Sequence, residues 1–123
     1  CEPENFDDMA RSLKQKSRVT NKAMDGSICD AILTPTPGEL TFEILKKHAA
    51  PGLVASDAQA LEAMSLLFLH HNLVVEPGGA ISLAAALNQY EKIDSDVLII
   101  VCTGGNVDPA IFSRALDLID FKY

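Results

Sequence analysis

The chain has 123 residues, 48% of them hydrophobic, which supplies one modest core and leaves too little length for two domains. A net charge of −7, from 17 acidic against 10 basic residues, argues against a nucleic-acid surface, because neutralising phosphates takes clustered Lys and Arg. The apolar runs Leu66–Leu69 and Val97–Cys102 are too short to span a bilayer, and Cys1, Cys29 and Cys102 are too scattered for a disulfide framework or a CxxC metal site.

A cytoplasmic protein with small-molecule or protein partners and no membrane association is therefore expected. A chain that begins at Cys1 is expected to continue upstream. In chain order, Phe6, Met9, Ala10 and Leu13 recur at helical spacing behind the acidic Glu4, Asp7 and Asp8, which predicts a helix over Pro3 to Leu13. From Lys16 to Pro37 the periodicity is lost, so this stretch reads as loop with at most one helical turn around Ile28. Glu39 to Lys47 aligns Leu40, Ile44 and Leu45 on one face and ends in Lys46, Lys47 and His48, as a helix dipole favours.

Leu53-Val54-Ala55 is a short strand candidate, and Ser56-Asp57-Ala58-Gln59 is a capping box opening a helix to about His71. Leu73-Val74-Val75 is short and apolar; Ala80 to Gln89 is small and aliphatic, as in a helix packed on several sides. Val97–Cys102 is apolar without interruption, the mark of a strand covered on both faces of a parallel sheet. Asp108-Pro109 then opens a last helix through about Asp117.

The class is α/β: a partial three-layer sandwich with about five helices and a few parallel strands. A strand such as Val97–Cys102 needs neighbours on both sides, which must come from an absent segment or another chain.

Ligands of open α/β sheets sit beyond the carboxyl ends of strands, where Thr103-Gly104-Gly105-Asn106 falls. The motif is either a tight structural turn or a place where backbone and a hydroxyl approach a ligand. Glu76-Pro77-Gly78-Gly79 marks a second helix entrance, whose amides could take an anion or whose glutamate could simply cap the helix. Glu2, Asp7 and Asp8 crowd one helix start, as dipole compensation or as oxygen ligands for a hard cation. His70 and His71 point to different helix faces and read as structural.

Cys1-Glu2-Pro3-Glu4, Leu33 to Phe42, Val74-Val75-Glu76-Pro77-Gly78-Gly79-Ala80 and Thr103 to Asp108 together, in this order, resemble the threonine/serine dehydratases. These are fold-type II pyridoxal-phosphate enzymes, a group that includes serine racemase and hydroxyaspartate lyases. The resemblance covers essentially the whole chain and matches the last third of the catalytic unit, the C-terminal part of the large domain of a tryptophan synthase β-like enzyme. It implies pyridoxal phosphate as cofactor, with Thr103 standing where a serine hydroxyl meets the pyridine nitrogen, Gly104 beside it, Glu76 near the ring, and Gly78 and Gly79 letting the helix start lie close to it. In metal-activated relatives it implies a divalent cation (Mg, Ca or Mn) held by the positions that are Glu2, the carbonyl of Phe6, and Asp8 here.

The family's Schiff-base lysine, in a Ser-Phe-Lys context, and its phosphate-holding glycine loop have no counterpart. Lys14, Lys16, Lys22, Lys46, Lys47, Lys92 and Lys122 all sit in polar or helix-surface settings. No catalytic residue is therefore expected in this chain, which alone should be inactive. The resemblance implies a parent that eliminates water from L-threonine or L-serine to give a 2-oxo acid and ammonia. The alternatives are a serine racemase, a 3-hydroxyaspartate ammonia-lyase, or a non-catalytic α/β binding module. Unpaired sheet edges predict a homodimer or self-association.

Overall fold

Ser56 and Gln59 close the capping box that their spacing predicts: the Gln59 N–H donates to Ser56 Oγ at 3.3 Å and the Ser56 N–H to Gln59 Oε1 at 2.9 Å. The helix they open, α3 (Asp57–His71), ends at Asn72 in the left-handed conformation. A computed structural model describes residues 1–23 and 25–119, so the setting expected for Lys122 lies outside the described residues.

Among the described residues, α3 is joined by α1 (Asp8–Gln15), α2 (Glu39–His48), α4 (Pro77–Asn88) and α5 (Pro109–Leu116). Two short strands, β1 (Glu2–Pro3) and β2 (Val54–Ala55), pair in parallel with Glu2 opposite Val54 and Pro3 opposite Ala55. This is the α/β class expected, with a smaller sheet.

The core lies where α3 packs on α4 and α5. Ala60, Ala63, Ala80, Ala84, Ala85 and Ala115 are fully buried there, and such small side chains let the helices approach closely around Met64, the largest fully buried residue. Phe68 of α3 meets Phe112 of α5 edge to face, with ring centroids 5.4 Å apart. Pro109 starts α5 as predicted, with Asp108 Oδ1 accepting from the Ala110 N–H at 2.7 Å.

The N-terminal helix begins later than its periodicity predicts. Pairing with β2 draws Glu2 and Pro3 into a strand, and Asn5 turns the chain at φ 69°, so α1 starts only at Asp8. Its buried side is also polar, formed by Asp8 and Ser12 rather than by an apolar stripe. Helix α4 starts at Pro77, three residues earlier than expected, because proline fits a first helical turn. Leu73–Val75 is not a strand among the described residues.

Val97–Cys102 is not a paired strand within the described residues. Val97 is 75% exposed and Ile99 85% exposed, so most of the run lies uncovered, with Ile100 half-buried and Cys102 packed on the core; the Ser82 hydroxyl ties it to α4 by donating to the Val101 carbonyl at 2.9 Å. A neighbouring strand and a covering layer are what an apolar run of this kind lacks here.

Denaturant titration should separate these two environments. Met64→Ala is expected to cost about 2–5 kcal/mol. Ile99→Lys should stay within about 0.5 kcal/mol and should lower any self-association seen by sedimentation; a loss as large as that of Met64→Ala would mean the run is covered.

Candidate functional site

Two glycine-marked turns, far apart in sequence, meet at the first turn of α4. The Glu76 N–H donates to the Gly104 carbonyl at 2.7 Å, and the Thr103 N–H donates to the Gly79 carbonyl at 3.4 Å. The approach is possible only without side chains: a Cβ placed on Gly79 would lie 1.6 Å from the Thr103 carbonyl oxygen, and one on Gly104 would lie 2.3 Å from Glu76 Oε1. Gly104 is also left-handed, at φ 66°. The structure thus brings Thr103, Gly104 and Glu76 together.

Gly78 is less central than its sequence position implies, since its Cα faces the Ile32 side chain, which a Cβ would meet at 3.4 Å. Gly79 makes the close backbone approach instead. Because the helix turns about 100° per residue, only one glycine of the pair can face the Thr103 tip, and the sequence holds no sign of which.

Beside this junction opens a cleft of about 380 Å³, lined among others by Ile28, Asp30, Glu76, Asn106 and Asp108. Thr103 lies just outside this lining and is exposed, and its hydroxyl has no hydrogen-bond partner among the described residues. Three carboxylates at the mouth of α4 oppose an anion there, so the helix entrance is unsuited to a phosphate. Asp30 was not singled out by sequence, because it stands in a short 3-10 turn inside a segment without periodicity. The missing Cβ atoms at Gly79 and Gly104 let the two turns lock together, and the exposed Thr103 hydroxyl carried by that junction, with no partner among the described residues, fits a group that offers a hydrogen-bonding atom such as a ring nitrogen.

Glu2, Phe6 and Asp8 form a second constellation at the start of α1. Glu2 Oε1 accepts from the Met9 N–H at 2.8 Å and Oε2 from the Ala10 N–H at 2.7 Å, so the carboxylate closes the helix N-terminus. Burial pushes the Glu2 carboxyl above its usual range; the two amides pull it down, and the neighbouring Asp8 carboxylate pushes it up again. Asp8 is 1% exposed and Phe6 3% exposed. Among the described residues none donates a hydrogen bond to the Phe6 carbonyl. No three His, Cys, Asp or Glu side chains gather as a metal-holding group among the described residues, so a cation here would need that carbonyl. Two close carboxylates and an unpartnered carbonyl are the oxygen donors a hard cation takes.

Cys29 is fully buried in the core cluster, and its thiol is pushed up to about 11 by burial, against the Ser27 hydroxyl, with the carboxylates of Asp57, Asp30 and Glu76 adding to the rise. It is a packing residue.

Residues 1–104 match the family described as pyridoxal-phosphate dependent enzyme. The chain is 36% identical over 108 residues to a beta-hydroxyaspartate dehydratase of Paracoccus denitrificans, covering 88% of this chain and 34% of that protein. It is 33% identical over 120 residues to a serine racemase of Dictyostelium discoideum, covering 95% of this chain and 37% of that one. Among solved structures, the threonine deaminase of T.th. superposes with a TM-score of 0.81 at 37% identity, over 87% of this chain and 36% of its own length. The chain thus spans about a third of the length of the relatives it matches.

Gly79→Ala is expected to destabilise the chain by several kcal/mol, on the order of 2–4, because the clashing atom is backbone and cannot swing aside; Gly78→Ala should stay below about 1 kcal/mol. Thermal melting of both variants checks the difference. The Cys29 shift makes a pH prediction: the folded thiol keeps its proton where the unfolded one has lost it, so this contribution is intact below about pH 9 and is lost as pH rises towards about 11. Cys29→Ala should flatten that part of the stability profile.

Proposed function

Because this chain belongs to the pyridoxal-phosphate-dependent enzyme family, we propose that it is the C-terminal segment of the catalytic domain of a hydroxy-amino-acid ammonia-lyase, acting on L-threonine or L-serine. The carrying observation is the junction of the Thr103-Gly104 tip with the first turn of α4. It leaves a hydroxyl without a partner among the described residues, exposed at a tip that the contacts of Gly79 and Gly104 hold against the helix start.

When bound, pyridoxal phosphate supplies the electron-withdrawing ring that makes the substrate α-proton acidic. In this reading Thr103 offers its hydroxyl to the pyridine nitrogen. A neutral partner of this kind leaves the nitrogen largely unprotonated and tempers the ring, which suits loss of a β-hydroxyl over transamination. Gly104 and Gly79 let the Thr103 tip lie against the start of α4, and Glu76, with Gly78 behind it, borders the ring. The acidic cleft directs the cofactor's phosphate away from α4, towards a cradle and a lysine carried by a segment outside these 123 residues.

Glu2, the Phe6 carbonyl and Asp8 are the proposed ligands of a divalent cation, Mg²⁺, Ca²⁺ or Mn²⁺. All three contribute oxygen, which suits hard cations, and the cation would neutralise the buried Asp8 carboxylate and the half-buried Glu2 carboxylate beside it.

Identity of 36% to the beta-hydroxyaspartate dehydratase favours 3-hydroxyaspartate as a second substrate candidate, and the serine racemase relative keeps inversion of serine open. Both act on the α-carbon of a β-hydroxy amino acid, so the same junction serves them.

The chain, supplied together with a segment bearing the cofactor lysine and glycine loop, is expected to release a 2-oxo acid and ammonia from L-threonine or L-serine, and none alone. Thr103→Ala should lower turnover about tenfold, the equivalent of one hydrogen bond of about 1.4 kcal/mol, and Thr103→Ser should restore it. Product without ammonia release would point to racemisation, and equal turnover by the alanine variant would remove Thr103 from the mechanism.

A further inference from the structure

Asp8 is a buried carboxylate held by neutral groups. Its Oδ1 accepts from Asn21 Nδ2 at 2.7 Å, and the Thr34 hydroxyl lies 3.3 Å from Oδ1 and 3.2 Å from Oδ2. Asn21 is itself buried, in a stretch that carries no helical or strand pattern. The segment is fixed there by its backbone: the Asn21 N–H donates to the Pro35 carbonyl at 2.8 Å, and Nδ2 also donates to the Thr34 carbonyl at 2.7 Å.

The other atom of the Asn21 amide, Oδ1, accepts from Arg11 Nη2, and Arg11 Nε donates to Asp7 Oδ1 at 2.9 Å. One amide therefore stands between a guanidinium and a carboxylate. A positive charge on the oxygen side polarises the amide and strengthens the N–H bond offered to Asp8. An arginine reaching Asp8 directly would neutralise it and compete with any cation; the interposed amide orients the carboxylate and leaves its charge available.

We propose that Asn21, polarised by Arg11, is a positioning residue that holds the Asp8 carboxylate beside Glu2 in the orientation a divalent cation requires. The inference rests on the reading of Glu2, Phe6 and Asp8 as cation ligands. Without Asn21, Asp8 keeps only the two long contacts to Thr34 and can rotate about its side-chain bonds.

The test is a titration with Mn²⁺ alone, followed through the electron paramagnetic resonance signal of the free ion, on wild type, Asn21→Ala and Arg11→Gln, with folding checked by circular dichroism. Asn21→Ala is expected to raise the Kd by about tenfold or more, in the range found for groups that orient metal ligands. Arg11→Gln should raise it by a smaller factor, and it decides the matter if the alanine variant does not fold. An unchanged Kd in the folded variants, even with a lowered melting temperature, would make Asn21 merely structural and overturn the proposal. If wild type binds no Mn²⁺ the ligand reading itself fails, an outcome distinct from equal binding by all three proteins.

Discussion

The contact between Gly79 and the Thr103 carbonyl is the constraint on which the rest of the site depends. Backbone meets backbone there at a separation that any side chain on Gly79 would prevent, and two hydrogen bonds, Glu76 to Gly104 and Thr103 to Gly79, fix the register. Together with the Ser82 bond to Val101, this contact anchors a largely exposed segment to α4 of the core helix pair. It also decides where the Thr103 hydroxyl stands relative to the acidic cleft.

A different principle builds the N-terminal constellation. There, a half-buried and a buried carboxylate are satisfied without a cationic side chain on them: Glu2 by the amides of Met9 and Ala10, Asp8 by Asn21 and Thr34. Burying charge this way is expensive unless a positive group completes it, and the dipole of α1 offsets only part. The parallel strand pair β1–β2 fixes Glu2 against the helix start.

Local chemistry was legible in the sequence wherever a residue's role is set by its near neighbours. The capping box of Ser56 and Gln59 and the Asp108-Pro109 cap appear where their spacing puts them, because each needs only a few consecutive residues. The start of α1 was misjudged because a partner distant in sequence, β2, takes Glu2 and Pro3, and no local pattern announces that. The same limit hides the roles of Asp30 and Asn21. Each acquires its role from a segment brought near by the fold, and a lone residue outside a long element carries no period; Gly78 and Gly79 are marked together by sequence, without a sign of which makes the close approach. The apolar run Val97–Cys102 reads as a paired strand but forms none among the described residues, where Val97 to Ile99 and Val101 are exposed and only Ile100 and Cys102 are partly covered.

The resemblance to dehydratases rests on four short motifs in order, and the fold gives three of them a clear place. The Glu2 carboxylate closes the start of α1, Glu76-Pro77 opens α4, and Thr103 to Asn106 is the tip that α4 receives. Amide hydrogen exchange at Glu76 and Thr103 tests the central claim most directly. Protection matching that of α4 is the result this account predicts; exchange as fast as that of the open Asp94–Ile99 stretch would contradict it, because the tip would then not be held against the helix.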